Sequence, residues 1–179
     1  MNYRSHLQFP SRQRGTVLVV ALLMLLVMTV LGITAMQMSR SQERMAGNSR
    51  DINLAFQGAE AGLRDSEELL RVRVARPTTC SSAPCDIWTK GLFPTDLRDQ
   101  TAAWWTARAR EYGVAGTHEV SDVTRDPLEV IEDLGFVPDS LTVGHGPPEG
   151  RNFYRVTANS TGASDTAQAV VESTYSKRY

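Results

Sequence analysis

The sequence predicts an α+β fold in which a long N-terminal helical spine packs on a C-terminal antiparallel β-sheet. Three observations carry that expectation. No charged residue occurs from Gly15 to Ser39. Helical spacing of apolar residues then continues, and no proline interrupts the chain between Pro10 and Pro77. Beyond Pro77 the texture changes to short segments, several alternating, separated by Pro, Gly, Asp and Ser. At 179 residues there is room for one domain of ordinary size. The net charge of -1 gives no global attraction to nucleic acid, and none is expected to bind directly. A mean hydropathy of -0.27 averages over two very different halves.

The first element is the apolar run. Crossing about 30 Å of hydrocarbon takes roughly 20 predominantly apolar residues in a helix, and Thr16 to Met36 supplies them. Arg4, Arg12 and Arg14 precede the run with no acid among them, while Arg40 after it is soon joined by Glu43 and Arg44. The positive-inside tendency then leaves the N-terminus in the cytoplasm and the bulk of the chain in the periplasm, with 16–39 in the inner membrane. A conventional secretory signal has an apolar region of about 7–15 residues followed by a small-x-small site. This run is longer, and its exit, "ITAMQMSRSQ", offers no such site.

Residues 40–76 read as the amphipathic continuation of the same helix. Met45, Ile52, Phe56, Ala59, Leu63, Leu70 and Val74 recur at intervals of sevens, fours and threes. At about 100° per residue they form one stripe, predicted to pack on the sheet. Arg50, Arg64 and Glu68 project elsewhere. The helix is expected to run from about Thr16 to Ala75, roughly 90 Å at about 1.5 Å per residue, and to stop before Pro77. Gly32, Gly47, Gly58 and Gly62 each cost up to about 1 kcal/mol relative to alanine. Gly47-Asn48-Ser49 is the expected place for a bend. Ala55, Gly58 and Gly62 form a small-residue flank beside the stripe, open to close approach by another element.

Residues 77–179 supply the β-rich region. Cys80 and Cys85 are the two cysteines, and in an oxidising periplasm they are expected to close a short disulfide loop. A metal pair is the competing reading. "TAAWWTARAREYG" (101–113) is a short helix or an irregular segment; adjacent Trp104 and Trp105 cannot share a face, so one is assigned to the core. "PLEVIEDL" alternates around Leu128, Val130 and Glu132 as a strand. "NFYRVTANS" sets Phe153 and Arg155 against Tyr154, Val156 and Ala158, and "TAQAVVESTYS" returns after the turn "TGASD". Those last two segments predict a hairpin, and the amphipathic helix is the available cover for the sheet's apolar face.

Reactive chemistry is not evident. The sequence has no phosphate loop, dinucleotide turn, zinc motif or nucleophile elbow. His6, His118 and His145 have no ligand-spaced companions. Glu67-Glu68 reads as a solvated, salt-bridged face. Asp126, Glu129, Glu132 and Asp133 carry oxygens suited to calcium, but their spacing matches no EF-hand loop. No catalytic residue, metal or cofactor is expected.

A short basic leader ending in Gly15, an apolar run that becomes an amphipathic helix, and a small β-rich domain together resemble a type IV prepilin. "RGTVLVVALLMLLVMTVLGITAMQM" followed by "ERMAGNSRDINLAFQGAEAGLRDSE" is similar to the N-terminal region of the PilX group of minor pilins. "VIEDLG" and "YRVTANSTGASDTAQAVVESTY" are similar to that group's C-terminal region. The likeness is strongest over 12–68 and supportive over 128–175. It implies a pilin-like fold and removal of a 1–15 leader by prepilin peptidase between Gly15 and Thr16, with N-methylation of Thr16. The apolar helix would survive that cut, wait in the inner membrane, and later join a pilus fibre.

The sequence departs from the pilin pattern at one point. Major pilins carry glutamate at the fifth mature position, where this chain has Val20. A carboxylate buried among apolar helices is tolerable when it pairs with a neighbour's amino terminus. Val20 offers no such partner, which suits a subunit with no predecessor, at the fibre tip. The resemblance therefore implies a minor pilin that primes assembly. It would contact other minor pilins and the major pilin through its N-terminal helix, and also a tip adhesin, in support of twitching motility and adhesion. The alternatives are a type II secretion tip pseudopilin, which lacks the same glutamate, and a periplasmic binding protein merely anchored by 16–36.

Overall fold

The computed structural model describes residues 15–113, 119–139 and 149–179. The leader, His6, His118, His145 and most of the 144–150 turn lie outside the described residues. Seven elements follow in chain order: α1 (Thr16–Val72), β1 (Ile87–Thr89), α2 (Ala102–Arg108), β2 (Arg110–Glu111), β3 (Leu128–Pro138), β4 (Gly150–Thr161) and β5 (Gln168–Lys177). The chain divides into two units, up to Ala46 and from Gly47 to Tyr179.

The first unit is the apolar part of α1, and every described position in it is exposed. This segment is long and apolar enough to cross a membrane. Its threonines do not interrupt it. Thr29 and Thr34 turn their hydroxyls back onto the carbonyls of Leu26 at 2.8 Å and Leu31 at 2.9 Å, so neither needs water.

In the second unit β3, β4 and β5 form an antiparallel meander, with Val156 opposite Ile131 on one side and Ser173 on the other. The hairpin expected from "NFYRVTANS" and "TAQAVVESTYS" is present as β4 and β5. Two short strands share the far edge of β3. β2 pairs antiparallel at Leu128 and Glu129, and β1 pairs parallel at Ile131 to Asp133. The sheet is therefore mixed rather than purely antiparallel; three-residue β1 carried no alternation from which to read it.

The period of two sorts the strand residues onto two faces. Ile87, Ile131, Tyr154, Val156 and Ala158 form a core with Ala59, Leu63 and Leu70 of α1. Trp88, Val130 and partly buried Val170 face the other way, where Leu97 and Trp105 cover them. That second layer comes from residues 91–109. Thr101 caps α2 by accepting the Trp104 amide at 3.2 Å. Trp105 is fully buried and Trp104 partly so. Trp88, Phe93, Trp104 and Trp105 meet edge to face, with ring centroids 5.0–5.2 Å apart.

The helix meets the sheet along a different stripe from the one expected. Ala55, Gly58, Ala59, Gly62, Leu63, Ser66 and Leu70 are the buried positions. Of the predicted packing residues, Ala59, Leu63 and Leu70 lie in this seam. Ile52 and Phe56 remain 56% and 48% exposed, Met45 is 68% exposed and Val74 is 92% exposed. Close approach explains the shift. A Cβ on Gly58 would fall 2.3 Å from Ser160 Oγ, and one on Gly62 would fall 3.1 Å from Pro127 Cβ and 3.3 Å from Ala158 Cβ. The backbone of α1 comes near enough to the sheet that large side chains stand beside the seam, not in it. The small flank is the contact, and Met45, Ile52, Phe56 and Val74 are not.

α1 also ends at Val72 rather than Ala75. Lys177 of β5 supplies the reason: its ammonium donates to the carbonyls of Leu70 at 2.8 Å, Arg71 at 2.7 Å and Arg73, satisfying orphan groups of the last turn.

Candidate assembly surfaces

Gly15 is a turn residue and Thr16 opens α1. From Val17 to Met38 the large apolar side chains stand uncovered, Val20 among them. Solvated apolar surface of this extent needs lipid or similar helices around it, because each Å² removed from water is worth roughly 25 cal/mol. Val20 adds no charge to that surface.

Polar contacts fasten the sheet of the second unit to its stretch of α1. At one end the Asp51 carboxylate accepts the Ser164 amide at 3.1 Å and its hydroxyl, fixing the β4–β5 turn. Those bonds, the hydroxyl's foremost, hold the Asp51 carboxyl below its ordinary range. At the other end stands Lys177. Between them Arg110 bridges Asp65 of α1, at 2.5 Å, and the fully buried Glu129 of β3. Burial is the largest influence on Glu129 and pushes its carboxyl up to about 8, against the pull of Arg110.

The opposite layer is pinned similarly. Arg155 pairs with buried Glu132 and donates to the Thr95 and Pro94 carbonyls at 3.2 and 3.3 Å, while Glu132 accepts the Gly91 amide at 2.6 Å. Cys80 and Cys85 form a disulfide. Cys80 sits beside Trp88 as an isolated bridge, accepting the Thr89 amide at 3.0 Å and donating to Ile87 at 3.1 Å. The loop thereby extends the β1 edge.

The four acids considered for calcium do not converge. Glu129 points toward α1 and Glu132 toward Arg155. Asp133 pairs with Arg76 at 3.0 Å, and Asp126 accepts the amides of Glu119 and Val120, each at 2.9 Å. Among the described residues no three His, Cys, Asp or Glu side chains cluster as a metal site. Sequence reasoning missed Asp51, Arg110, Arg155 and Lys177, since each works with a partner 20 or more residues away. One signal was available: three acids within a strand destined for burial, Glu129, Glu132 and Asp133, demand cationic partners.

A family model described as PilX N-terminal matches residues 14–64. A second, described as Type IV pilus assembly protein PilX C-term, matches residues 60–177. No curated protein and no solved structure matches. The second match covers more than half of the chain, the two join within α1, and between them they take in the exposed apolar helix, the small-residue seam and the whole sheet. The chain thus belongs to the PilX family of type IV pilus assembly proteins.

Proposed function

We propose that this chain is a non-catalytic minor pilin that primes type IV pilus assembly and takes its place in the tip complex. Family membership gives the role in pilus assembly, alongside other pilus components. The observation that carries the finer reading is the uncovered apolar helix beginning at Thr16, with Val20 in place of the pilin glutamate. Prepilin peptidase cuts between Gly15 and Thr16, Thr16 is methylated, and the subunit waits in the inner membrane with its sheet in the periplasm. Extraction then exchanges lipid for the helices of other minor pilins and the major pilin, and a tip adhesin engages the exposed end. The assembled fibre supports twitching motility and adhesion.

Mass spectrometry of the mature N-terminus tests processing: Thr16 is expected when prepilin peptidase is present, and Met1 retained in both strains removes the pilin reading. Val20→Glu tests the tip placement by introducing the missing carboxylate. Altered fibre number or subunit stoichiometry is expected; unchanged initiation and position argue against the tip. The missing glutamate also fits a type II secretion tip pseudopilin, and loss of secretion with intact pili in a deletion strain favours that alternative.

A further inference from the structure

The middle of the seam between α1 and the sheet is built largely from small and apolar side chains, with a charged cluster among them. There Asp65 and Ser66 of α1, Arg110 of β2 and Glu129 of β3 meet. The Glu129 side chain is 0% exposed, whereas those of Arg110 and Asp65 retain 25% and 29%. Two carboxylates against one guanidinium leave surplus negative charge around a fully buried Glu129 side chain. Binding one proton removes the surplus, and the most buried carboxyl is the group that gains most from being neutral. Glu129 is that group, with the Asp65 carboxylate and the Ser66 hydroxyl as neighbours. The charged groups facing it are Asp65 from α1 and Arg110 from β2; β4 sets uncharged Ala158 opposite it.

We propose that Asp65, Arg110 and Glu129 form a proton-operated clasp between α1 and β3, closed while the buried Glu129 carboxyl holds a proton and loosened when that proton leaves. Partly exposed Asp65 and Arg110 connect the clasp to solvent, so the pH of the surrounding medium sets it. The direction follows from linkage. Free glutamate loses its proton near 4.5, and burial keeps Glu129 protonated up to about 8. Between those limits the folded form holds a proton that the unfolded form lacks. The stability this lends is complete below 4.5, declines as the pH climbs, and is gone once the pH has passed about 8.

Hydrogen exchange of the 58–70 amides, in the full chain in detergent micelles and corrected for intrinsic rates, reads the clasp directly. Opening is expected to rise at least ~10-fold between pH 6 and pH 9. Glu129→Gln, which keeps the shape without the charge, is expected to remove that difference while holding protection near the pH 6 level of the unaltered chain. Carbon-13 labelling of glutamate gives a readout independent of any variant: one carboxyl signal should titrate near 8. Equal pH dependence in the two chains, or no glutamate carboxyl titrating above about 6, overturns the clasp. If Glu129→Gln does not fold, the carbon-13 titration of the unaltered chain decides alone.

Discussion

Lys177, the last residue of β5, places its ammonium 2.8 Å from the carbonyl oxygen of Leu70, 107 residues earlier in the chain. The end of the sheet thus caps the helix on which the sheet rests. Bonds from a charged donor are worth about 1.5–3 kcal/mol each when buried and less when partly wet. Lys177→Met keeps most of the side chain's bulk and is expected to cost about 1–2 kcal/mol, read as a lower melting temperature and faster amide exchange in the last turn of α1. Lys177→Arg should recover most of the loss.

Three of the four glycines in α1 separate by environment. Gly58→Ala drives a methyl against Ser160 and is expected to destabilise by about 1–3 kcal/mol. Gly62→Ala meets tight but tolerable neighbours and should cost less. Gly47→Ala has nothing within 4 Å and should stabilise by up to about 1 kcal/mol through helix propensity. Thermal unfolding of the three variants checks the order.

Replacing Cys80 and Cys85 together by serine is expected to cost about 2 kcal/mol, as for any short covalent loop. The loss should be local. Increased exchange is expected at the amides of residues 80 and 89, which bond across this bridge, with the β4–β5 pairing unchanged.

Arg155→Met strands the Glu132 carboxylate, which is only 3% exposed, and an uncompensated buried charge costs about 3–5 kcal/mol. It also frees the Pro94 and Thr95 carbonyls and, with them, the cover over Trp88 and Trp105. Tryptophan fluorescence should shift to the red. Glu132→Gln, which leaves the Gly91 amide an oxygen to bond, should be milder.

How much of this was legible beforehand depended on the range of the forces involved. Thr16 to Ser39 declares itself through composition, and β4 and β5 through alternation, because both signals are local. The direction in which α1 faces the sheet was not local. Hydrophobicity marks Ile52 and Phe56 as readily as Leu63 and Leu70, and only the depth to which the sheet advances decides between them. That depth is set by residues with almost no side chain, Gly58 and Gly62, which a stripe of large residues conceals. The buried acids were visible as an anomaly in "PLEVIEDL", yet their cations, Arg76, Arg110 and Arg155, come from three separate stretches of chain. Only the fold brings them together.

Asp51 and Lys177 stand near opposite ends of the docked part of α1, one gripping a hairpin turn and the other a strand terminus. A pull along the helix axis therefore loads both anchors and the seam between them at once, in shear. Contacts arranged this way yield together, whereas contacts peeled from one end yield in turn, and forced detachment is governed by the rate of that single event. The domain is thus coupled to its helix as a lap joint, suited to bearing tension along the helix axis.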